Sequence, residues 1–137
     1  MKRAYISVGV NNRKNLTAEL TAVCDTLKDC GIVPLVFVDN YCFNESEEIA
    51  MMAQAFKEID RSDLLIAETS EKGMGVGIEI GYAKALGKVV IYIRNKSAEH
   101  STTASGASDF RIIYEEPKSL ATQLASILNP MIFNTNR

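Results

Sequence analysis

DLLIAETSEKGMGVGIEIGYAKALGKVVIYI, residues 63–93, predicts a strand, a helix and a second strand in succession. The run Asp63–Glu68 has the length and apolar character of a buried strand, and a glycine-rich turn follows it. Gly87 ends the helix, because glycine is favoured where a helix stops. The run Lys88–Ile93 predicts the next strand. This strand–helix–strand order is typical of a parallel α/β sheet.

The same alternation extends in both directions along the chain. Three further strands are predicted at residues 4–10, 32–38 and 110–114, and three further helices at 16–30, 46–59 and 117–128, with Ser46 as an expected N-cap and with loops at 39–45 and 95–108. Pro34 has no backbone N–H to donate, which places the second strand at a sheet edge. The pattern predicts one domain, residues 1–137, with a flavodoxin-like, Rossmann-like, doubly wound five-stranded parallel sheet of order 2-1-3-4-5 and helices on both faces.

Composition limits the classes of function. The chain has 137 residues, of which 47% are hydrophobic and 23% charged, and its formal charge is −2. These values suit one globular domain and exclude a basic nucleic-acid-binding stripe. No apolar run reaches the roughly 20 residues that span a bilayer. We expect a cytoplasmic protein that binds neither nucleic acid nor membrane and needs no cofactor. Three cysteines without paired spacing and one histidine argue against a metal site or a disulfide framework.

In a sheet of this order, ligands bind beyond the carboxyl ends of the first and third strands. The residues to consider therefore lie in four loops after strands, namely Ser7–Arg13, Asp39–Phe43, Glu68–Glu79 and the segment after Arg94.

Glu79 is the unusual residue of the glycine-rich turn. It shares a helix face with Tyr82, Ala83 and Leu86, so its carboxylate lies among apolar side chains. The glycines let a ligand approach the backbone, and the helix N-terminus offers N–H groups to an anion. The alternative is a first-turn glutamate that interacts with the helix dipole, worth ~0.3–1 kcal/mol. The glycine spacing does not predict a dinucleotide site, because that fingerprint follows a first strand.

The segment GVGIEIGYAKALGK, residues 75–88, with the strand before it, resembles the nucleoside 2-deoxyribosyltransferase superfamily. The likeness is greatest to the branch of 2'-deoxynucleoside 5'-phosphate N-hydrolases. The opening strand, Tyr5-Ile-Ser-Val-Gly9, also resembles that family's first strand with its substrate-contacting tyrosine. The resemblance extends from Tyr5 to about Tyr114.

This resemblance implies an enzyme that cleaves N-glycosidic bonds of small deoxynucleosides or deoxynucleotides, as a hydrolase or transferase, usually as a homodimer. The family's glutamate corresponds to Glu79, which would attack the anomeric carbon and form a covalent glycosyl-enzyme that water or a second base resolves. A carboxylate suits this role, because the transition state resembles an oxocarbenium ion. The resemblance implies that Tyr5 orients Glu79, whereas the residue pattern also allows a simple core aromatic.

Substrate contacts are expected from several loops. The resemblance matches Ser101 to a serine that holds the 5'-phosphate, often from the neighbouring subunit, with Lys72 adding charge; a Ser/Thr loop without a ligand is the alternative. Tyr41 and Phe43 are candidates to stack on the base, or they cap the core. The candidate substrate-binding residues are Ser7, Gly9, Asp39, Asn40, Tyr41, Lys72, Gly73, Gly75 and Ser101.

The sequence also supports expectations about one cysteine, the single histidine and a subunit interface. Cys42 is expected to be a small apolar filler, and His100 a solvated loop residue rather than an essential acid or base. The Ser/Thr loop and the apolar tail at residues 130–133 are expected at a subunit interface.

Two departures from the family pattern leave alternatives open. The family's helix aspartate falls on Ala55, with Gln54 beside it, and Glu58 is either a stand-in or a solvated helix acid. Gly73 stands where the family has a polar sugar- or phosphate-binding group. A catalytically silent nucleotide-binding or sensing protein of the same fold is therefore the rival hypothesis. A third hypothesis is another kind of phosphoribohydrolase. Such an enzyme requires arginines at its phosphate site, and the only candidates are Arg13 and Arg94.

Overall fold

The structure is a computed structural model that describes residues 2–135, with side chains described up to residue 130. The strands are β1 (Lys2–Ser7), β2 (Ile32–Val36), β3 (Leu64–Glu68), β4 (Val89–Asn95) and β5 (Phe110–Tyr114). The helices are α1 (Thr17–Asp29), α2 (Phe37–Asn40), α3 (Glu48–Asp60), α4 (Met74–Ala85), α5 (Thr102–Gly106) and α6 (Pro117–Thr135). Single 3-10 turns occupy Arg13–Asn15 and Glu45–Glu47.

All strand pairs are parallel, and the sheet order is β2-β1-β3-β4-β5. This confirms the predicted order and the edge position of β2, where Pro34 pairs with Ala4. Gly87, the predicted end of the helix that is α4, adopts a φ angle of 75°, and Gly31 after α1 adopts a φ angle of 74°. That left-handed conformation carries little strain in glycine.

The core has two layers, one on each face of the sheet. One layer packs α1 and α6 against the sheet, and the other packs α3 and α4 against the opposite face. Successive residues of a strand point to opposite faces, so Ala4 and Ile6 face α1 and α6. Tyr5 belongs to the other layer, and Ser7, two residues on, points the same way. The alternation of β1 therefore presents two hydroxyl groups to the α4 side.

Several boundaries differ from the prediction. The second strand ends at Val36, because Phe37 begins a one-turn helix and buries its ring, and short apolar runs do not distinguish strand from helix. The loop at 95–108 contains α5, whose N-cap Ser101 accepts a hydrogen bond from the Ala104 N–H at 3.3 Å. Ser46, the predicted N-cap, lies inside the 3-10 turn Glu45–Glu47, and the N-cap of that turn is Asn44, two residues earlier, in a capping box with Glu47.

The chain end and one cysteine also differ. The last helix begins at Pro117, as predicted, but it continues past Leu128 with Pro130 inside it. The side chains of the expected interface residues 131–133 lie outside the described part of the chain. Cys42 is exposed in the irregular segment after α2 and is not an apolar filler. Among the described residues, no helix is long and apolar enough to cross a bilayer.

Candidate active site

Glu79 lies on α4 where that helix passes the carboxyl end of β1. Val76, Ile80 and Ala83 are buried against the sheet, and this rotation of α4 directs the half-buried Glu79 toward β1. Ser7 Oγ donates a hydrogen bond to Glu79 Oε1 at 2.6 Å. The Tyr5 hydroxyl donates to the other carboxylate oxygen, Oε2. Each oxygen of the carboxylate thus has one hydroxyl donor, which fixes its orientation.

Burial sets the electrostatics of this group. Desolvation raises the pKa of Glu79 above the ordinary glutamate range, and the hydrogen bonds from Ser7 and Tyr5 partly oppose the rise. The pKa of Tyr5 is raised much further, by burial and by the neighbouring negative charge of Glu79. Tyr5 therefore stays protonated and remains a hydrogen-bond donor. The arrangement is a partly desolvated carboxylate held by two neutral donors.

An aromatic wall extends from Tyr5 across the loop after β2. Phe37 stacks near Tyr5, with ring centroids 5.8 Å apart, and near Tyr41, at 4.9 Å. Phe43 completes the group at 6.2 Å from Tyr41. Gln54 of α3 donates from Nε2 to the Tyr41 hydroxyl at 2.9 Å, a contact that the sequence pattern did not predict. Tyr41 and Phe43 thus both pack on the core and border the Glu79 region.

Other predicted residues lie near the carboxyl ends of β1, β2 and β4. Both carboxylate oxygens of Asp39 accept from the Arg13 guanidinium, at 2.8 and 2.9 Å, so the two side chains form an ion pair. Asn40 is exposed at the end of α2. Gly9 lies in the turn after β1, where its carbonyl accepts from two backbone N–H groups. Arg94 is buried and donates from Nη1 to three loop carbonyls, which holds the segment before His100.

The remaining predicted residues lie on the other flank of α4. Lys72, Gly73 and Ser101 border a cleft of about 590 Å³ between α4 and α5, and Glu79 is not among the lining residues. Residues two apart on a helix point about 160° apart, so Gly77 faces the cleft while Glu79 faces β1. Lys72 at the cleft is exposed, whereas the partly desolvated carboxylate lies on the Glu79 flank. Gly75 belongs to the first turn of α4 and does not line the cleft.

Local contacts restrain the cleft rim. Lys72 forms an exposed ion pair with Glu99, with Nζ and Oε1 2.9 Å apart. The buried Tyr92 hydroxyl lies 3.2 Å from His100 Nδ1 and accepts from the Ser101 N–H at 3.2 Å. His100 itself is exposed.

Ala55 and Glu58, the two α3 residues considered for the family's helix aspartate, are both buried. Ala55 is 1% exposed and packs in the same layer as Tyr5. Glu58 is 3% exposed and is not a solvated helix acid, because it pairs with Arg3 and Arg61 at 3.7 and 3.2 Å. Arg3 belongs to the amino-terminal half of β1, whereas Glu79 lies at its carboxyl end. Glu58 is therefore engaged in a structural ion pair away from the Glu79 carboxylate.

The chain matches one protein family and several solved structures. The family model described as Nucleoside 2-deoxyribosyltransferase matches residues 5–131. A comparison with curated proteins found no significant match. Among solved structures, the Clostridium botulinum CMP N-glycosidase BcmB is similar, with a TM-score of 0.65 and 21% identity over 92% of this chain and 99% of that one.

Two transferases are similar as well. The 2-deoxyribosyltransferase from Bacillus psychrosaccharolyticus has a TM-score of 0.67 and 14% identity over 92% of this chain and 95% of that chain. The 2-desoxiribosyltransferase from Leishmania mexicana has a TM-score of 0.57 and 24% identity, covering 76% and 77% of the two chains. At these identities the solved structures support a shared fold, and the family match covers most of the sequence.

Proposed function

The chain belongs to the nucleoside 2-deoxyribosyltransferase family, and from this premise we propose that it cleaves the N-glycosidic bond of 2'-deoxynucleosides or their 5'-monophosphates. The cleavage is hydrolysis or base exchange, and Glu79 is the nucleophile. The observation that carries the proposal is the Glu79 carboxylate itself. It is half-buried at the carboxyl end of β1 and held by Tyr5 and Ser7.

The chemistry follows from that arrangement. One carboxylate oxygen forms a bond to the anomeric carbon, while the carbon–nitrogen bond breaks and its electron pair leaves with the base, which takes up a proton. Partial desolvation leaves the carboxylate reactive, and a deoxyribosyl group without a 2'-hydroxyl forms an oxocarbenium-like transition state readily. Water or a second base then attacks the same carbon and releases Glu79. Tyr5 and Ser7 keep the carboxylate aimed throughout both steps.

We further propose that the enzyme acts as a homodimer. Lys72 and Ser101 suit the 5'-phosphate, because an ammonium and a hydroxyl both donate to phosphate oxygens and the uncapped N-terminus of α4 adds free N–H groups. In one protomer this cleft lies on the opposite flank of α4 from Glu79. A complete nucleotide site is therefore assembled when Ser101 of the partner subunit approaches the Glu79 flank.

A second candidate function is nucleotide binding or sensing without turnover. The observation that favours it is Ala55, which fills the position of the family's helix aspartate with a buried methyl group. Such a protein would bind deoxynucleotides beside Glu79 and release no base.

The test is base release from a panel of deoxynucleosides, deoxynucleoside monophosphates and their ribose counterparts, followed by chromatography. We expect release from at least one deoxy substrate. Glu79→Ala should reduce the rate by at least about 10³-fold, the order expected when a covalent nucleophile is removed. Glu116→Ala, at an exposed glutamate on the far side of the sheet, is the matched control and should retain wild-type activity.

The outcomes separate the hypotheses. Glu79→Ala activity within tenfold of wild type would exclude the assigned nucleophile. Nucleotide binding without base release from any substrate would favour the sensing protein. Preferential cleavage of ribonucleotides would favour the phosphoribohydrolase alternative.

A further inference from the structure

Gln54 occupies an unusual place on the wall beside the Glu79 region. It precedes the buried Ala55 on α3, so its own side chain emerges at the rim of the layer that contains Tyr5 and Phe37. Its Nε2 donates to the hydroxyl of Tyr41 at 2.9 Å. Gln54 and Tyr41 are both half-buried. The amide and the phenol therefore form a fixed pair whose outer atoms remain accessible.

Three hydrogen-bonding groups of this pair are unused within the described part of the chain. A carboxamide oxygen accepts, a carboxamide NH2 has two hydrogens to donate and a phenolic O–H donates; one Nε2 hydrogen is already donated to Tyr41. Gln54 Oε1 is left as an acceptor, and the Tyr41 hydrogen and the second Nε2 hydrogen are left as donors. An acceptor next to a donor is the complement of the edge of a nucleobase.

The pair also lies on the correct side of the carboxylate. Tyr41 stacks on Phe37, Phe37 stacks near Tyr5, and Tyr5 donates to Glu79. A sugar placed over Glu79 can therefore project its base along this aromatic wall toward Gln54. The ring of Tyr41 is held between Phe37 and Phe43, so its hydroxyl has little freedom to adapt.

We propose that Gln54 and Tyr41 read the edge of the leaving base and select bases that carry an exocyclic amino group beside a ring nitrogen, the 6-aminopurine and 4-aminopyrimidine class. This inference rests on the proposed function and specifies its substrate. The amino group donates to Gln54 Oε1, and the ring nitrogen accepts from the Tyr41 hydroxyl. In this register, with the exocyclic group on Gln54 and the ring nitrogen on Tyr41, a 6-oxo or 4-oxo base presents an oxygen to Oε1 and an N–H to the Tyr41 hydrogen, so neither hydrogen bond forms.

The test compares two substrates that differ only in the amino group. The ratio of kcat/KM for 2'-deoxyadenosine to that for purine 2'-deoxyriboside is measured in wild type, Gln54→Leu and Tyr41→Phe. We expect a wild-type ratio that exceeds the Gln54→Leu ratio by about 10- to 100-fold, the range for loss of a buried hydrogen-bond partner. Comparing variants cancels the intrinsic difference in leaving ability between the two bases. Tyr41→Phe removes a donor to the ring nitrogen that both substrates carry, so it should lower kcat/KM for both and change the ratio little. Gln54→Met serves if Gln54→Leu folds poorly.

Gln123→Leu is the matched control, because Gln123 is a half-buried glutamine on α6, on the other face of the sheet. It should keep the wild-type ratio. Equal ratios in wild type and in a folded Gln54→Leu or Gln54→Met variant would overturn the inference, as would a preference for the oxo bases, and in both cases the proposed cleavage stands. Should no base be released at all, binding of the monophosphates by calorimetry decides. A preference for amino-bearing bases that Gln54→Leu removes would retain the inference while cleavage fails.

Discussion

Glu79 and Glu68 are both glutamates paired with a tyrosine at the carboxyl ends of strands, yet their surroundings differ. Glu68 is 2% exposed and faces α1 and α6, where Tyr114 and the Ser70 N–H donate to it. Burial raises the pKa of both carboxyl groups. Only Glu79 remains half-open on the side of the aromatic wall. A raised pKa and a tyrosine partner are therefore common to both glutamates, and solvent access distinguishes Glu79, the proposed nucleophile, from Glu68.

At the scale of the residue, the pH dependence of catalysis tests the role of Ser7. Its hydrogen bond lowers the pKa of Glu79 against the larger effect of burial. Removing that donor in Ser7→Ala should raise the pKa of the carboxyl group further. Because attack requires the ionised form, the acid limb of the kcat/KM profile should move to higher pH. In wild type this limb should already lie above the ordinary glutamate value of about 4.3.

Ser126→Ala is the control for this profile, since Ser126 is exposed on α6 and bonds only within its helix. Its acid limb should coincide with that of wild type. A limb that stays in place or moves to lower pH in Ser7→Ala would contradict the contact as the structure gives it.

At the scale of the element, Tyr114 joins β5 to β3 across the intervening strand β4. Its hydroxyl donates to Glu68 Oε2 at 2.6 Å inside the core. Tyr114→Phe leaves that oxygen without its donor while the ring packing remains. We expect the free energy of unfolding to fall by about 1–3 kcal/mol, the usual cost of an unpaired buried polar group. Urea denaturation at neutral pH measures it.

Tyr82→Phe is matched to this change, because Tyr82 also donates to a carboxylate, Asp60, at 2.6 Å. That bond is exposed, so its loss should change the free energy of unfolding by less than about 0.5 kcal/mol. Equal changes in the free energy of unfolding for the two substitutions would show that burial does not increase the contribution of the Tyr114 hydrogen bond to stability.

The element order could be predicted from sequence because its signals are local and long. Pro34 marks an edge strand, and the glycines at 31 and 87 mark helix ends. By contrast, α2 and α5 have four and five residues. Such lengths are too short for a helical period to emerge, and α2 is held by tertiary burial of Phe37 rather than by propensity.

The candidate site was predictable only in part. The glycine motif identified Glu79, and the resemblance placed Tyr5 beside it. The bond from Ser7 depends on the rotation of α4 against β1, which residue spacing does not fix. Asp39, a candidate substrate-binding residue, pairs with Arg13, and residue spacing does not fix that contact. The Gln54–Tyr41 pair likewise joins a helix to a loop through tertiary packing alone.

At the scale of the whole molecule, α4 separates two half-sites. One flank carries Glu79 with Tyr5 and Ser7, and the other carries the cleft with Lys72 and Ser101. Both flanks begin at the same helix N-terminus. Under the proposed function, a nucleotide that contacts Glu79 and Ser101 together would take the serine from the second protomer of the proposed homodimer. Sedimentation should give a particle of about twice the 15.1 kDa chain mass.

Complementation tests this assembly more directly than mass does. Glu79→Ala and Ser101→Ala should each lose most activity toward a deoxynucleoside monophosphate. If each site combines Glu79 with Ser101 of the partner subunit, a mixed dimer contains one site with both residues intact. Unfolding, mixing and refolding the two variants in equal amounts should then restore roughly a quarter of wild-type activity, since about half the dimers are mixed and each has one intact site.

Mixing Glu79→Ala with Ser7→Ala is the control, because both residues lie on the same flank of α4 in one protomer. This mixture should show no activity beyond that which the Ser7→Ala chains contribute themselves. Failure of the Glu79→Ala and Ser101→Ala mixture to exceed its separate components would place both residues' contributions within single protomers and reject the shared site.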